Sequence, residues 1–135
     1  MHFGRPQRGL LLGALLCGLA GCADLDTVKN APLDTGIAHD FNAPYTRVSA
    51  AALTILSSEN INVVASSEDA AGTIYLVDKA IALGSWGEVG RIYIKKSSAP
   101  PTTVIVYWEK RARSGAGIGA KEFTDTFFDA LGKQL

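Results

Sequence analysis

The 135-residue chain is 47% apolar and 19% charged, which excludes a disordered chain and gives one domain of ordinary size a core to bury. Its 13 basic and 13 acidic residues cancel, so no overall field recommends nucleic acid as a partner. Removing Arg5 and Arg8, which fall in a segment read below as cleaved, leaves 11 basic against 13 acidic residues, a net of −2.

The chain opens with a short basic stretch from His2 to Arg8, an apolar stretch from Gly9 to Leu16, and a small, weakly polar stretch from Cys17 to Gly21. That is the layout of a secretory signal. The uncharged run from Gly9 to Ala23 has 15 residues, fewer than the roughly 20 that a membrane-spanning helix needs. It ends in Leu19-Ala20-Gly21-Cys22, which resembles the lipobox of bacterial lipoproteins. The resemblance implies cleavage after Gly21, so that residues 1–21 leave, and acylation of Cys22 on its sulfur and its new amine. Two or more acyl chains make a stable anchor where one would be marginal. Ala23 in place of Asp after the cysteine points, by the same resemblance, to the outer membrane. With Cys17 removed and Cys22 acylated, no thiol remains for a disulfide, a nucleophile or a metal site.

Residues 22–40 are expected to form the lipidated end and a flexible tether, because Asp24 to Asp40 mixes polar residues, Pro and Gly with single apolar positions. A single domain is expected over 41–135. Asn42 and Pro44 predict a helix start, and Tyr45, Val48, Ala52 and Ile55, with Leu56 alongside, predict one apolar stripe. Ile61 to Ser66 reads as a strand, Ser67 to Gly72 as a turn, and Thr73 to Asp78 as a second strand. Lys79 to Gly90 is an ambiguous, glycine-punctuated connection. Arg91 to Lys95 alternates as a third strand, and Thr103 to Lys110 is the strongest strand of the chain. Phe123, Phe127 and Leu131, joined by Phe128 and Leu135, predict a closing amphipathic helix. The expected fold is α+β, in the order α-β-β-β-β-α. Its four-stranded antiparallel sheet would carry an N-terminal and a C-terminal helix on one face.

The first helix with Val48, Ala52 and Leu56, then Ile61-Asn-Val-Val, then Asp69 through Gly72-Thr-Ile, resembles small periplasmic lipoprotein domains. Among these are the domains of the BamC lipoprotein and related lipoproteins of unknown function. The resemblance covers roughly residues 44–135 and implies an accessory role in envelope assembly, without site residues to carry over.

Gly115-Ala-Gly-Ile-Gly-Ala120 has the spacing of a dinucleotide fingerprint between a strand and a helix. The motif needs a second parallel strand and an acid about 20 residues on, and only 15 residues follow Ala120. Glu122 after Lys121 is wrong for a phosphate loop that binds magnesium. The stretch is read as a turn, with no nucleotide, cofactor or metal expected. Catalytic inventory is thin, and the chain is read as non-catalytic. His39 falls in the tether, Glu68 and Asp69 in a turn, and a carboxylate pair such as Glu88 with Glu109 would have to come from distant segments.

Two surfaces are candidates for binding. If Ile74 and Leu76 face the helices together with Ile92, Ile94, Val104, Val106 and Trp108, then Tyr75, Tyr93 and Tyr107 share the other face with Arg91, Lys95 and Glu109. Those tyrosines form either a platform for a partner or a set of cross-strand stabilising contacts. Lys110, Arg111, Arg113 and Lys121 cluster around the glycine stretch as a candidate site for anionic ligands. The function expected is that of an outer-membrane-anchored, periplasm-facing lipoprotein that binds an envelope protein. The alternative is a binder of lipid, lipopolysaccharide or peptidoglycan fragments.

Overall fold

A computed structural model describes residues 25–79, 87–110 and 120–135. Cys22, Arg111, Arg113 and the glycines at 115–119 lie outside these residues. The fold is α+β, with an open antiparallel sheet of five strands and three helices. In chain order these are α1 (Leu25–Asn30), β1 (Ile37–Phe41), α2 (Tyr45–Ser58), β2 (Asn62–Glu68), β3 (Gly72–Lys79), β4 (Glu88–Lys95), β5 (Thr102–Lys110) and α3 (Ala120–Gln134).

The predicted helix–meander–helix order holds over α2, β2 to β5 and α3. The sheet has five strands rather than four, because β1 pairs with β5 and the order across the sheet is β1-β5-β4-β3-β2. Without β1, the most β-prone strand of the chain would present a bare ladder to solvent. β1 enters through Gly36, whose φ of +121° lies in the region that glycine adopts at no steric cost. A Cβ there would sit 2.3 Å from the Val106 carbonyl oxygen. Residues 25–40, expected as a flexible tether, therefore hold a helix and most of a strand that ends at Phe41.

The start of α2 also differs from expectation. Pro44, not Asn42, is the N-cap residue, and no side chain caps it. Its carbonyl accepts from the amides of Arg47 and Val48. At the other end Asn60 takes φ +56°, and the Ile61 amide donates back to the Leu56 carbonyl at 3.0 Å, which closes the helix.

α2 and α3 lie on one face of the sheet. Val48, Ala52, Ile55 and Leu56 of α2, with Phe127, Phe128 and Leu131 of α3, pack on Tyr75, Val77, Ile92, Ile94, Val104, Val106 and Trp108. Phe123 stacks on Trp108 with ring centroids 3.6 Å apart. α1 lies on the opposite face, where Val28, Leu76 and Val89 form a second, smaller core with Leu25, Ile74 and Tyr107 against it. The molecule is thus three layers deep. The central strands are buried on both faces, so they lack the alternation that reveals which side chains point where.

That is why the facing of β3 was misread. Tyr75 stands opposite Ile92, and Ile92 opposite Val106, so Tyr75 and Val77 face α2 and α3. Ile74 and Leu76 face α1.

Gly90 permits the packing of the largest core side chain. A Cβ at Gly90 would lie 2.2 Å from Trp108 Cε3 and 3.1 Å from the Tyr107 carbonyl oxygen. Gly90→Ala is expected to push the indole off Phe123 and to cost about 1–3 kcal/mol, as overpacked cores do. Urea denaturation of the variant against the native chain measures this.

Candidate functional site

Arg91 is the most unusual side chain in the structure. It is 1% exposed, yet among the described residues no carboxylate forms an ion pair with it. Its Nη1 donates to the carbonyl oxygens of Val28 at 2.9 Å and Ala31 at 2.6 Å, and its Nη2 donates to Pro32 at 2.6 Å. These are carbonyls in and just beyond the last turn of α1, where a helix leaves its C=O groups without partners. The negative end of the helix dipole faces the same guanidinium. The Tyr107 ring lies 5.8 Å from the Arg91 Cζ and adds a cation–π contact. Burial pulls the Arg91 pKa down from its ordinary value, while Tyr107 and Asp34 oppose that shift.

α1 has only six residues and would not persist alone in water. Arg91 and the burial of Val28 hold it on the sheet. Sequence signals for this helix were present but short: the Leu25–Val28 spacing, Asp26 in the first turn, Lys29 in the last, and Pro32 just beyond.

The tyrosine surface does not form as expected. Tyr75 belongs to the main core at 7% exposure. Arg91 is roofed by α1. Tyr93 is buried, and its hydroxyl donates to the Ala71 carbonyl at 3.3 Å. Tyr107 is partly buried and donates to Glu109 Oε1. Lys95 is exposed at the end of β4. The five residues are structural or peripheral and make no shared open face. Of the basic group, Lys110 ends β5 and Lys121 lies on α3, but Arg111 and Arg113 lie outside the described residues.

The remaining candidates also acquire structural roles. His39, expected in a tether, is on β1, stacks against Phe128 at 5.2 Å and meets Phe41 in a tilted contact at 4.6 Å. Asp69 Oδ1 accepts from the amides of Ala71 and Gly72 and shapes the β2–β3 turn. Glu68 pairs with Lys96 at 2.8 Å; the hydrogen bond from Lys96, and its charge, hold the Glu68 carboxyl below its usual value. Glu88 and Glu109 lie on opposite faces of the sheet, because Glu109 stands opposite Val89, one residue beyond Glu88. Among the described residues no three His, Cys, Asp or Glu side chains gather to hold a metal.

One concave feature was invisible in the sequence. A cleft of about 400 Å³ opens between α1 and the β2–β3 edge, lined by Lys29, Ala65, Ser66, Ser67, Ile74 and Leu76. Its floor is apolar, its cation is Lys29, and one wall is an edge strand.

No protein-family model matches the chain, and no curated protein matches it.

Two predictions follow from this chemistry. Arg91→Met removes the guanidinium donors from the Val28, Ala31 and Pro32 carbonyls, of which Pro32 keeps the Thr35 amide, and should cost about 2–4 kcal/mol. Hydrogen exchange should show the amides of α1 losing protection while α2 and α3 keep theirs. Separately, burial raises the Tyr75 pKa above the ordinary tyrosine value, and the hydrogen bond to Glu109 raises that of Tyr107. Groups with raised folded-state values stabilise fully below the ordinary tyrosine value and lose that contribution as pH climbs through the raised values. Alkaline titration should therefore show tyrosinate absorbance of these two lagging and rising with unfolding. Ordinary titration of all four tyrosines would contradict this.

Proposed function

We propose that the chain is an outer-membrane-anchored lipoprotein, facing the periplasm, that binds an envelope protein as a non-catalytic accessory or assembly factor. The reading rests on the signal-like N-terminus and on Leu19-Ala20-Gly21-Cys22. The observation that carries it furthest is the docking of α1. Leu25, three residues after Cys22, already begins a helix clamped to the sheet by Arg91. Three residues reach at most ~11 Å when extended. An acylated Cys22 would then hold the domain against the bilayer instead of letting it range on a long leash. A fixed, short stand-off suits an accessory subunit that meets a membrane-embedded partner at one height.

Cys22→Ala should abolish incorporation of labelled palmitate and release the chain from the membrane fraction; an unchanged, labelled membrane form would overturn the reading. A Gly/Ser insertion of about ten residues after Ala23 adds roughly 17 Å of flexible reach. It should leave lipidation intact but reduce cross-linking to the partner in cells, measured by mass spectrometry of the purified lipidated protein. Undiminished yield would remove the argument from stand-off.

A further inference from the structure

β2 is the least protected element of the fold. All seven of its residues are exposed, including Val63 at 39% and Val64 at 43%. It sits at the end of the sheet order and pairs only with β3. In an antiparallel ladder, alternate residues of such a strand direct N–H and C=O groups away from the sheet. Natural edges are usually blunted by lysine, proline, extreme shortness or a bulge. β2 has one irregularity, between Val63 and Ala65, and from Ala65 to Glu68 it runs in regular register with no lysine or proline.

The regular part of the edge coincides with the cleft. Ala65 stands opposite Leu76 and Ser67 opposite Ile74, so these residues share the face that α1 covers and line the cleft beside Lys29. Lys29 has no ion pair among the described residues. The charges at the two ends of β2 are already engaged. Glu68 pairs with Lys96, and Asp78 accepts from the Asn62 side chain at 3.2 Å. Lys29 is the one charged side chain among the residues that line the cleft.

We infer that β2 receives an extended peptide segment of a partner protein as an additional strand, with an acidic side chain of that segment seated in the cleft against Lys29. Main-chain hydrogen bonds to Ala65–Glu68 supply the affinity. The cleft reads one side chain in two, as strand addition elsewhere does. The chemistry selects a peptide over a free anion, because the cleft borders the edge of β2, whose outward backbone donors and acceptors an extended chain can pair. It selects an acidic residue because Lys29 is the cation lining the cleft. This deepens the accessory-subunit reading by naming the surface through which the partner is held. It does not depend on the lipid anchor.

The test uses the purified full chain in detergent micelles, isotopically labelled and observed by NMR. Three end-capped seven-residue probes of alternating Thr and Val are added: one with Glu at its centre, one with Lys there, and one Glu form N-methylated at alternate residues. The Glu peptide should shift the amides of Ala65 to Glu68 and of Lys29. The Lys peptide should bind about fivefold more weakly, since an exposed attraction is exchanged for a repulsion. The N-methylated peptide should not bind. Lys29→Glu should reverse the preference between Glu and Lys peptides, and α1 protection serves as the control that the variant is folded. Absence of shifts on β2 would overturn the inference. So would equal binding of the N-methylated peptide, which would mark an apolar ligand of the cleft, or β2 shifts that grow with protein concentration alone, which would mark a second copy. An unchanged, palmitate-labelled membrane form of Cys22→Ala with peptide binding retained would sink the lipoprotein reading and leave this one standing.

Discussion

The structure depends on one buried cation held by carbonyl oxygens, with no ion pair to a carboxylate among the described residues. Burying an arginine is costly unless its donors are satisfied, and here the partners are three carbonyls at the end of a six-residue helix. The dependence is mutual. α1 is too short to be helical by itself, and Arg91 would be orphaned without it. A guanidinium suits the task because its planar donors address several carbonyls at once, which a lysine's point charge does less well. With α1 in place, Val28, Leu76 and Val89 close a second core, and the sheet is covered on both faces.

Covering both faces moves the open surface to the edges. The main core takes the aromatic and branched side chains of β3, β4 and β5, and the small core takes what projects on the other side. β1 occupies one edge, where Phe41 and His39 turn toward Phe128 of α3. At the other edge, β2 is exposed along its length and borders a cleft. That edge, with Lys29 beside it, is where we propose that a partner strand is received. The tyrosines that stood out in the sequence instead build the interior.

The elements read most clearly from the sequence were those with one wet face. α2 and α3 each carry an apolar stripe with solvent opposite; β4, though buried on both faces, alternates Arg91, Tyr93 and Lys95 with Ile92 and Ile94, and that spacing showed which side turns to the helices. β3 was read out of phase because Thr73-Ile-Tyr-Leu-Val is apolar at nearly every position, and two buried faces leave no alternation to follow. α1 and β1 escaped notice because six and five residues give too little periodicity to stand out from a polar linker. Arg91, Tyr93 and Tyr107 were placed on the correct face, but that face was taken for solvent because its cover had been taken for a tether.

The sequence by itself determined the class of the chain, the antiparallel run of β2 to β5, the two flanking helices, and the signal-like N-terminus ending in Cys22. These are properties of local composition and short-range spacing. Tertiary structure decided that a fifth strand pairs with β5, that a short helix roofs Arg91, and that β2 is left as the open edge beside Lys29. The first two of those outcomes are contacts between segments distant in sequence, such as Arg91 with Val28 or Ile37 with Val106. The free energy of such contacts comes from satisfying a buried group at its destination, and no window of neighbouring residues records where that destination is.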